Sequence, residues 1–232
     1  MISLGWMNGL YFFVGLVAAL GINVLADYLP SSRTPLRPQW GTYGWGRRKR
    51  PLLLFGVTAV LFFLLPLWLK EPVNLVVNSL YIAVLLLIIV TDLEHRLIFN
   101  VVTYPMTAVA IVGAYFVTPD ENTVRLAVVG ALVGFLTFGA LYGLANLLYG
   151  RDRVPLGMGD VKLAMMMGAM LGFHRIFFAL FWGIMLGGVI TLLLLLTRRV
   201  SRTMALPYGQ YLALSGIAFL IWGAEYVQRY LA

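Results

Sequence analysis

Eight apolar runs dominate this chain, most of them about as long as a bilayer is thick: residues 6–25, 51–69, 73–91, 98–117, 123–148, 161–172, 176–197 and 205–226. A straight α-helix needs about 20 predominantly apolar residues to cross the hydrocarbon core. Lipid offers backbone N–H and C=O groups no partners, so such a run satisfies them within itself as a helix. The expected fold class is therefore all-α: a polytopic membrane protein of about eight transmembrane helices. The sixth run, a dozen residues, is too short for a straight crossing and would have to be tilted, kinked or flanked by water. With 61% hydrophobic and 11% charged residues, the chain lies far from the soluble balance of roughly a quarter charged.

Orientation follows from the basic residues. Thirteen of the 17 Lys and Arg fall in the connections after the first, third, fifth and seventh runs, with Arg47, Arg48, Lys49 and Arg50 the densest group. Only Lys70, Arg125, Arg175 and Arg229 fall on the other side. Short cytoplasmic loops carry the excess of Lys and Arg, which places the thirteen in the cytoplasm and both termini on the far side of a cytoplasmic (inner) membrane. The net charge of +8 then needs no nucleic acid. Anionic inner-leaflet lipid is the expected partner, at about 1 kcal/mol per basic residue near the surface. Residues 1–5 hold no Lys or Arg, so the first run is expected to be a retained span rather than a removable signal. The 232 residues contain no cysteine, which excludes disulfides, thiolate zinc sites and a cysteine nucleophile. His95 and His174 have no partner cluster, and no metal site is expected.

Only nine Asp and Glu remain, and two of them stand at the edges of apolar runs: Asp92 in "IIVTDLEHRLIFN" and Asp160 in "PLGMGDVKL". An ionisable group beside hydrocarbon is costly and is a functional-site hypothesis by default. Asp92 closes the third run and Asp160 opens the sixth, with two complete crossings between them. An even number of crossings returns the chain to the same face, so both carboxylates are expected at the cytoplasmic boundary. Asp160 also reads as a helix N-cap, its oxygens accepting early N–H groups. Asp92, at a helix C-terminus, opposes the macrodipole, with Arg96 four residues on to compensate if the helix runs that far. Two close carboxyls sharing one proton can hydrolyse an amide without metal: the ionised one takes a proton from water and the neutral one polarises the carbonyl. Gly157 and Gly159 would let backbone approach an extended substrate and permit unusual dihedrals. Lys162 would help to keep Asp160 ionised or anchor its helix at the headgroups.

"TDLEHRLIFN" and "GMGDVKLA" resemble the type IV prepilin peptidases, leader peptidases of the GxGD aspartyl protease class, whose aspartates lie in D-L-x-x-x-x-I-P-N and G-x-G-D-x-K segments. "LPYGQYLALSG" at 206–216 is similar to that family's P-[FY]-G-P-x-L-A-x-G. The resemblance spans about 75–216 with its motifs in order. It implies a GxGD-type helical bundle and a membrane aspartyl endopeptidase with Asp92 and Asp160 catalytic. The implied partner is a prepilin or pseudopilin precursor, a membrane helix whose basic leader is removed at the cytoplasmic face. Glu94 and Asp152 would receive that leader. Phe99 and Gln210 stand where the family has proline, and are read as changes in how the following helices begin. "INVLADYLP" at 22–30 is similar to N-V-x-x-x-R-L-P, with Tyr28 in place of arginine.

Bifunctional members follow that segment with a domain bearing two CxxC pairs, linked to N-methylation. Here residues 31–50 separate the first two runs, a stretch below the roughly 40 residues a core needs without staples. No cofactor is expected for proteolysis, and S-adenosylmethionine only if methyl transfer is retained. The loop, rich in Pro, Gly, Arg and aromatics, shows no helical or strand period. The expected organisation is 1–72, two spans with a basic loop, and 73–232, a six-helix peptidase core. Gly168 and Gly172, and Gly183, Gly187 and Gly188, are placed for close helix approach. Two other readings remain at this point: a GxGD protease cutting inside other substrate helices, which would set the first Asp deep in a span, and a proton-coupled transporter, which would show paired broken-helix repeats.

Overall fold

A computed structural model describes residues 2–31, 49–117, 122–149, 157–197 and 208–231. Among the described residues the chain forms α1 (Ile2–Ser31), α2 (Lys49–Trp68), α3 (Pro72–His95), α4 (Asn100–Gly113), α5 (Val124–Tyr149), α6 (Met158–Leu196) and α7 (Gly209–Leu231), and no strand. The all-α expectation holds. Five helices, α1, α2, α3, α5 and α6, are long and apolar enough to cross a membrane by length and composition. The chain is a multi-pass membrane protein.

Helix starts and stops have local causes. α3 begins with Pro72 after an extended Glu71, a first-turn position where proline's missing N–H costs nothing. It stops at Arg96, whose left-handed backbone (φ 54°, ψ 37°) turns its N–H onto the carbonyl of Asp92 at 2.9 Å. Arg96 is therefore the C-cap and not a residue of the helix, so the expected compensation along a continuing helix is replaced by a backbone bond. Phe99 caps α4 at φ −82°, close to the value a proline ring fixes. The change expected at the start of that helix is not seen at Phe99.

The sixth and seventh runs are joined. α6 is 39 residues long and breaks at Gly172, where φ is 75° and ψ 174°, a conformation that favours a residue without Cβ. A break strands helical carbonyls that lipid cannot satisfy. Asn122 supplies the donors: its Nδ2 lies 3.1 Å from the Ala169 oxygen and 3.3 Å from that of Met170. The short sixth run is thus one arm of a kinked helix, its end closed by a side chain about fifty positions earlier.

Two compact units result, residues 1–96 and 97–232. In the first, α3 packs with α1 and α2. A Cβ on Gly15 would come within 2.9 Å of the Thr58 oxygen and of Phe62 Cβ, so glycine there sets how closely α1 and α2 approach. In the second, α5 and α6 touch through backbone. A Cβ on Gly168 would overlap the Gly130 carbonyl, and one on Gly134 that of Ala164. The second arm of α6 lies on α7, where a Cβ on Gly183 would be 2.9 Å from Leu212 and one on Gly187 2.9 Å from Tyr208. Ser215 Oγ donates to the Ala179 carbonyl at 2.7 Å. Gly188, expected to share this role, meets nothing within 4 Å. Lipid tails are as apolar as leucine, so close packing and hydrogen bonds of this kind, more than hydrophobic burial, hold spanning helices together.

Candidate active site

Asp92 occupies the last turn of α3 and is buried, 4% exposed. Its carbonyl receives the Arg96 cap, and Thr91 beside it is buried, with Oγ1 3.2 Å from the Ile88 oxygen. Two residues on, Glu94 meets Arg50 of α2: Nη1 donates to Glu94 Oε2 at 2.9 Å. The same guanidinium reaches α1, with Nη2 2.9 Å from Asp27 Oδ2 and Nε 3.1 Å from Asn23 Oδ1. Counting Arg50 among the lipid-facing basic residues is corrected by this geometry. Its side chain is 6% exposed and forks between two carboxylates on neighbouring helices, the bidentate use for which a planar guanidinium is suited. Glu94, expected to receive a substrate leader, is committed to Arg50, and His95 Nε2 lies 3.8 Å from the same oxygen.

Asp160 sits in the first turn of α6 and is buried, 8% exposed. It is not the N-cap. Gly157 holds that place, and Asp160 is the third helical residue, its Oδ2 accepting the Gly157 N–H at 2.9 Å. The carboxylate therefore satisfies one of the N–H groups at the helix start and lies where the macrodipole favours negative charge. Gly157 has φ −91° and ψ 153°, ordinary extended backbone, so the unusual dihedrals expected there are not needed. Gly159 lies against Ile98, where a Cβ would come to 3.0 Å of Ile98 Cβ.

Lys162 turns to α4. Its Nζ donates to Asn100 Oδ1 at 2.9 Å and stands 5.5 Å from the centre of the Tyr104 ring. It thus ties the start of α6 to the start of α4, and this contact takes the place of the expected charge support for Asp160. Tyr208, just before α7, is within electrostatic reach of Asp160 and packs beside Gly187. Asp152 lies outside the described residues, as does most of the basic loop. Asp92 belongs to the first unit and Asp160 to the second.

Three contributors escaped the sequence reading. Arg50 was visible only as the last of four consecutive basic residues. Asn100 ends the first acidic motif with no sign that Lys162 is its partner. Asn122 lies between the fourth and fifth apolar runs, with nothing local to mark it as the partner of a helix break.

Long apolar helices carrying buried carboxylates at their ends define a class of multi-pass membrane protein with acidic sites at helix termini. The sequence pattern of the type IV leader peptidase family matches residues 79–192, which include both aspartates. A prepilin leader peptidase/N-methyltransferase of Aeromonas salmonicida (strain A449) is 30% identical over 145 residues, covering 61% of this chain and 47% of the relative. Proteins of the same name from Pseudomonas aeruginosa and Dichelobacter nodosus are 27% identical over 143 residues and 28% identical over 181. These cover 60% and 78% of this chain, and 47% and 60% of the relatives. The chain thus spans about half the length of most of the curated relatives it matches. No solved structure matches it.

Proposed function

We propose that this chain is a membrane aspartyl endopeptidase that removes the basic leader from type IV prepilins or pilin-like precursors at the cytoplasmic membrane face. The observation that carries the reading is that Asp92 and Asp160, each buried at the end of an apolar helix, both fall inside the segment matching the leader peptidase family. In this reading the two carboxyls share one proton. The ionised one accepts a proton from water as it attacks the scissile carbonyl, and the neutral one donates a hydrogen bond to the carbonyl oxygen. The proton then passes to the leaving amine. The substrate's own helix lies in the bilayer beside the enzyme, which raises its local concentration at the pair. Asp92 stands in the last turn of α3, which ends at His95 with Arg96 as its C-cap, and this favours cutting near the surface over cutting deep inside a span.

One incubation tests both activities named in the relatives. Purified chain, a type IV prepilin precursor and S-adenosylmethionine are combined with and without chelator, and the product terminus is read by mass spectrometry. The expected product lacks its leader, with methyl addition either absent or independent of zinc, because no cysteine in the 232 residues can hold a thiolate zinc. An uncut precursor would overturn the peptidase reading. A methyl group lost on chelation would overturn both the lack of methyl transfer and its independence from zinc.

Orientation is tested on the same cysteine-free background. A cysteine introduced at Ser32 is expected to react only with reagent reaching the cytoplasmic side, as the distribution of basic residues requires. Labelling only from the opposite side would move the site to the wrong face.

A further inference from the structure

The carboxylate of Asp92 hangs from the last turn of a helix, the part of any helix with the fewest internal hydrogen bonds. Two devices hold that turn. One is Arg96, a residue with a Cβ kept at positive φ so that its N–H closes on the Asp92 carbonyl. The other is Arg50, which reaches Glu94 from α2 while bound to Asn23 and Asp27 of α1. Arg50 and Glu94 side chains are 6% and 11% exposed, whereas Asp27 is 65% exposed. The pair that touches α3 is therefore the buried one, and Asp27 is the exposed outer end of the fork.

A pair of this kind is not needed simply to join three helices that already pack on one another, with Gly15 of α1 against Thr58 and Phe62 of α2 and with α3 against both. Buried ion pairs add little net stability over apolar replacements, and their better-attested use is to fix one arrangement among several. Glu94 sits two residues after Asp92 on the same turn, so fixing Glu94 fixes the azimuth and depth of the Asp92 carboxylate. We propose that Arg50 is a positioning residue for the peptidase reaction, acting through Glu94 to hold the Asp92 turn against α1 and α2. The N-terminal spans thereby take part in catalysis although they contribute no reacting group. This inference rests on the reading of Asp92 as a catalytic residue.

The test uses the full chain in lipid vesicles, with a type IV prepilin precursor as substrate. Arg50→Met is expected to lower kcat on the order of 10²-fold, the cost of misplacing a reacting group by about 1 Å, with KM within about twofold because the substrate helix still binds. Arg50→Lys, which can serve one carboxylate but cannot fork to two, is expected to recover part of that loss. The deciding variant is Arg50→Met with Glu94→Met, which removes both buried charges. Thermal stability is expected to return to that of the unmodified chain while kcat stays low. A purely structural pair would give back stability and kcat together, and that result would overturn the proposal, as would a wild-type kcat in Arg50→Met alone.

A second readout does not depend on activity. Nitroxide probes on single cysteines at Leu93 and, as control, at Val76 report local motion in α3. Loss of Arg50 is expected to free the Leu93 probe and leave the Val76 probe unchanged. An unchanged Leu93 line shape would overturn the clamp even if cleavage were altered. If the unmodified chain removes no leader, the peptidase reading fails, while the probe still decides whether Arg50 holds the turn.

Discussion

Asp92→Asn and Asp160→Asn are each expected to reduce leader removal by about 10³-fold or more, with membrane insertion and abundance close to those of the unmodified chain. Asparagine keeps the size and one acceptor oxygen of aspartate but cannot take up or share the proton. At Asp160 this separates chemistry from folding, because the amide oxygen can still accept the Gly157 N–H that starts α6. At Asp92 the turn is held by the Arg96 cap to its backbone carbonyl and by Glu94, none of which the substitution touches. Two groups acting as one unit are also non-additive, so the double variant should be no slower than the slower single one. The measurement is single-turnover cleavage of a prepilin precursor by detergent-solubilised protein, with thermal unfolding run in parallel. Cleavage within tenfold of the unmodified chain by either single variant would eliminate the proton-sharing pair.

What the sequence made legible is what the bilayer dictates one residue at a time. Residues 73–91 and 123–148 had to be helical because lipid leaves their backbones no other partner, and they lie within α3 and, from Val124 on, within α5. The glycine-flanked Asp160 could likewise be read along the chain. What could not be read depends on partners distant in sequence. Gly172 looked like a packing glycine beside Gly168. Its positive φ makes sense only with Asn122 donating to the carbonyls of Ala169 and Met170. Arg50 obeyed the positive-inside count, and nothing local showed that it turns inward to Asp27 and Glu94. Asp160 differs by a smaller step. The N-cap pattern places a short polar residue at the helix start, but a carboxylate three positions in can bind the cap's N–H equally well, and with Gly157 extended that is the arrangement formed.

Gly168→Val is expected to be the most damaging single change outside the acidic residues. Valine's β-carbon would overlap the carbonyl of Gly130 and lie 2.9 Å from the Ala131 nitrogen. Both belong to the backbone of α5, which cannot rotate aside as a side chain tip would. The helices must then separate, and separation also strips the facing contact in which Gly134 admits the Ala164 carbonyl. Overpacking in a well-filled core typically costs about 1–3 kcal/mol and more where backbone must move, so a loss of about 3 kcal/mol or greater is expected. In lipid this loss is not recovered elsewhere, since parted helices find only tails that interact with them no better than with each other. Gly188→Ala supplies the control on the same helix. A Cβ there meets nothing within 4 Å, and removing a helical glycine favours the helix by about 1 kcal/mol, so unchanged or slightly raised stability is expected. Unfolding of both variants in detergent, followed by helical circular dichroism against temperature, compares them directly. The damage should also reach the site, because the arm of α6 that Gly168 holds against α5 is the arm that carries Asp160 in its first turn. Equal midpoints for Gly168→Val and Gly188→Ala would show that α5 and α6 do not depend on this backbone contact.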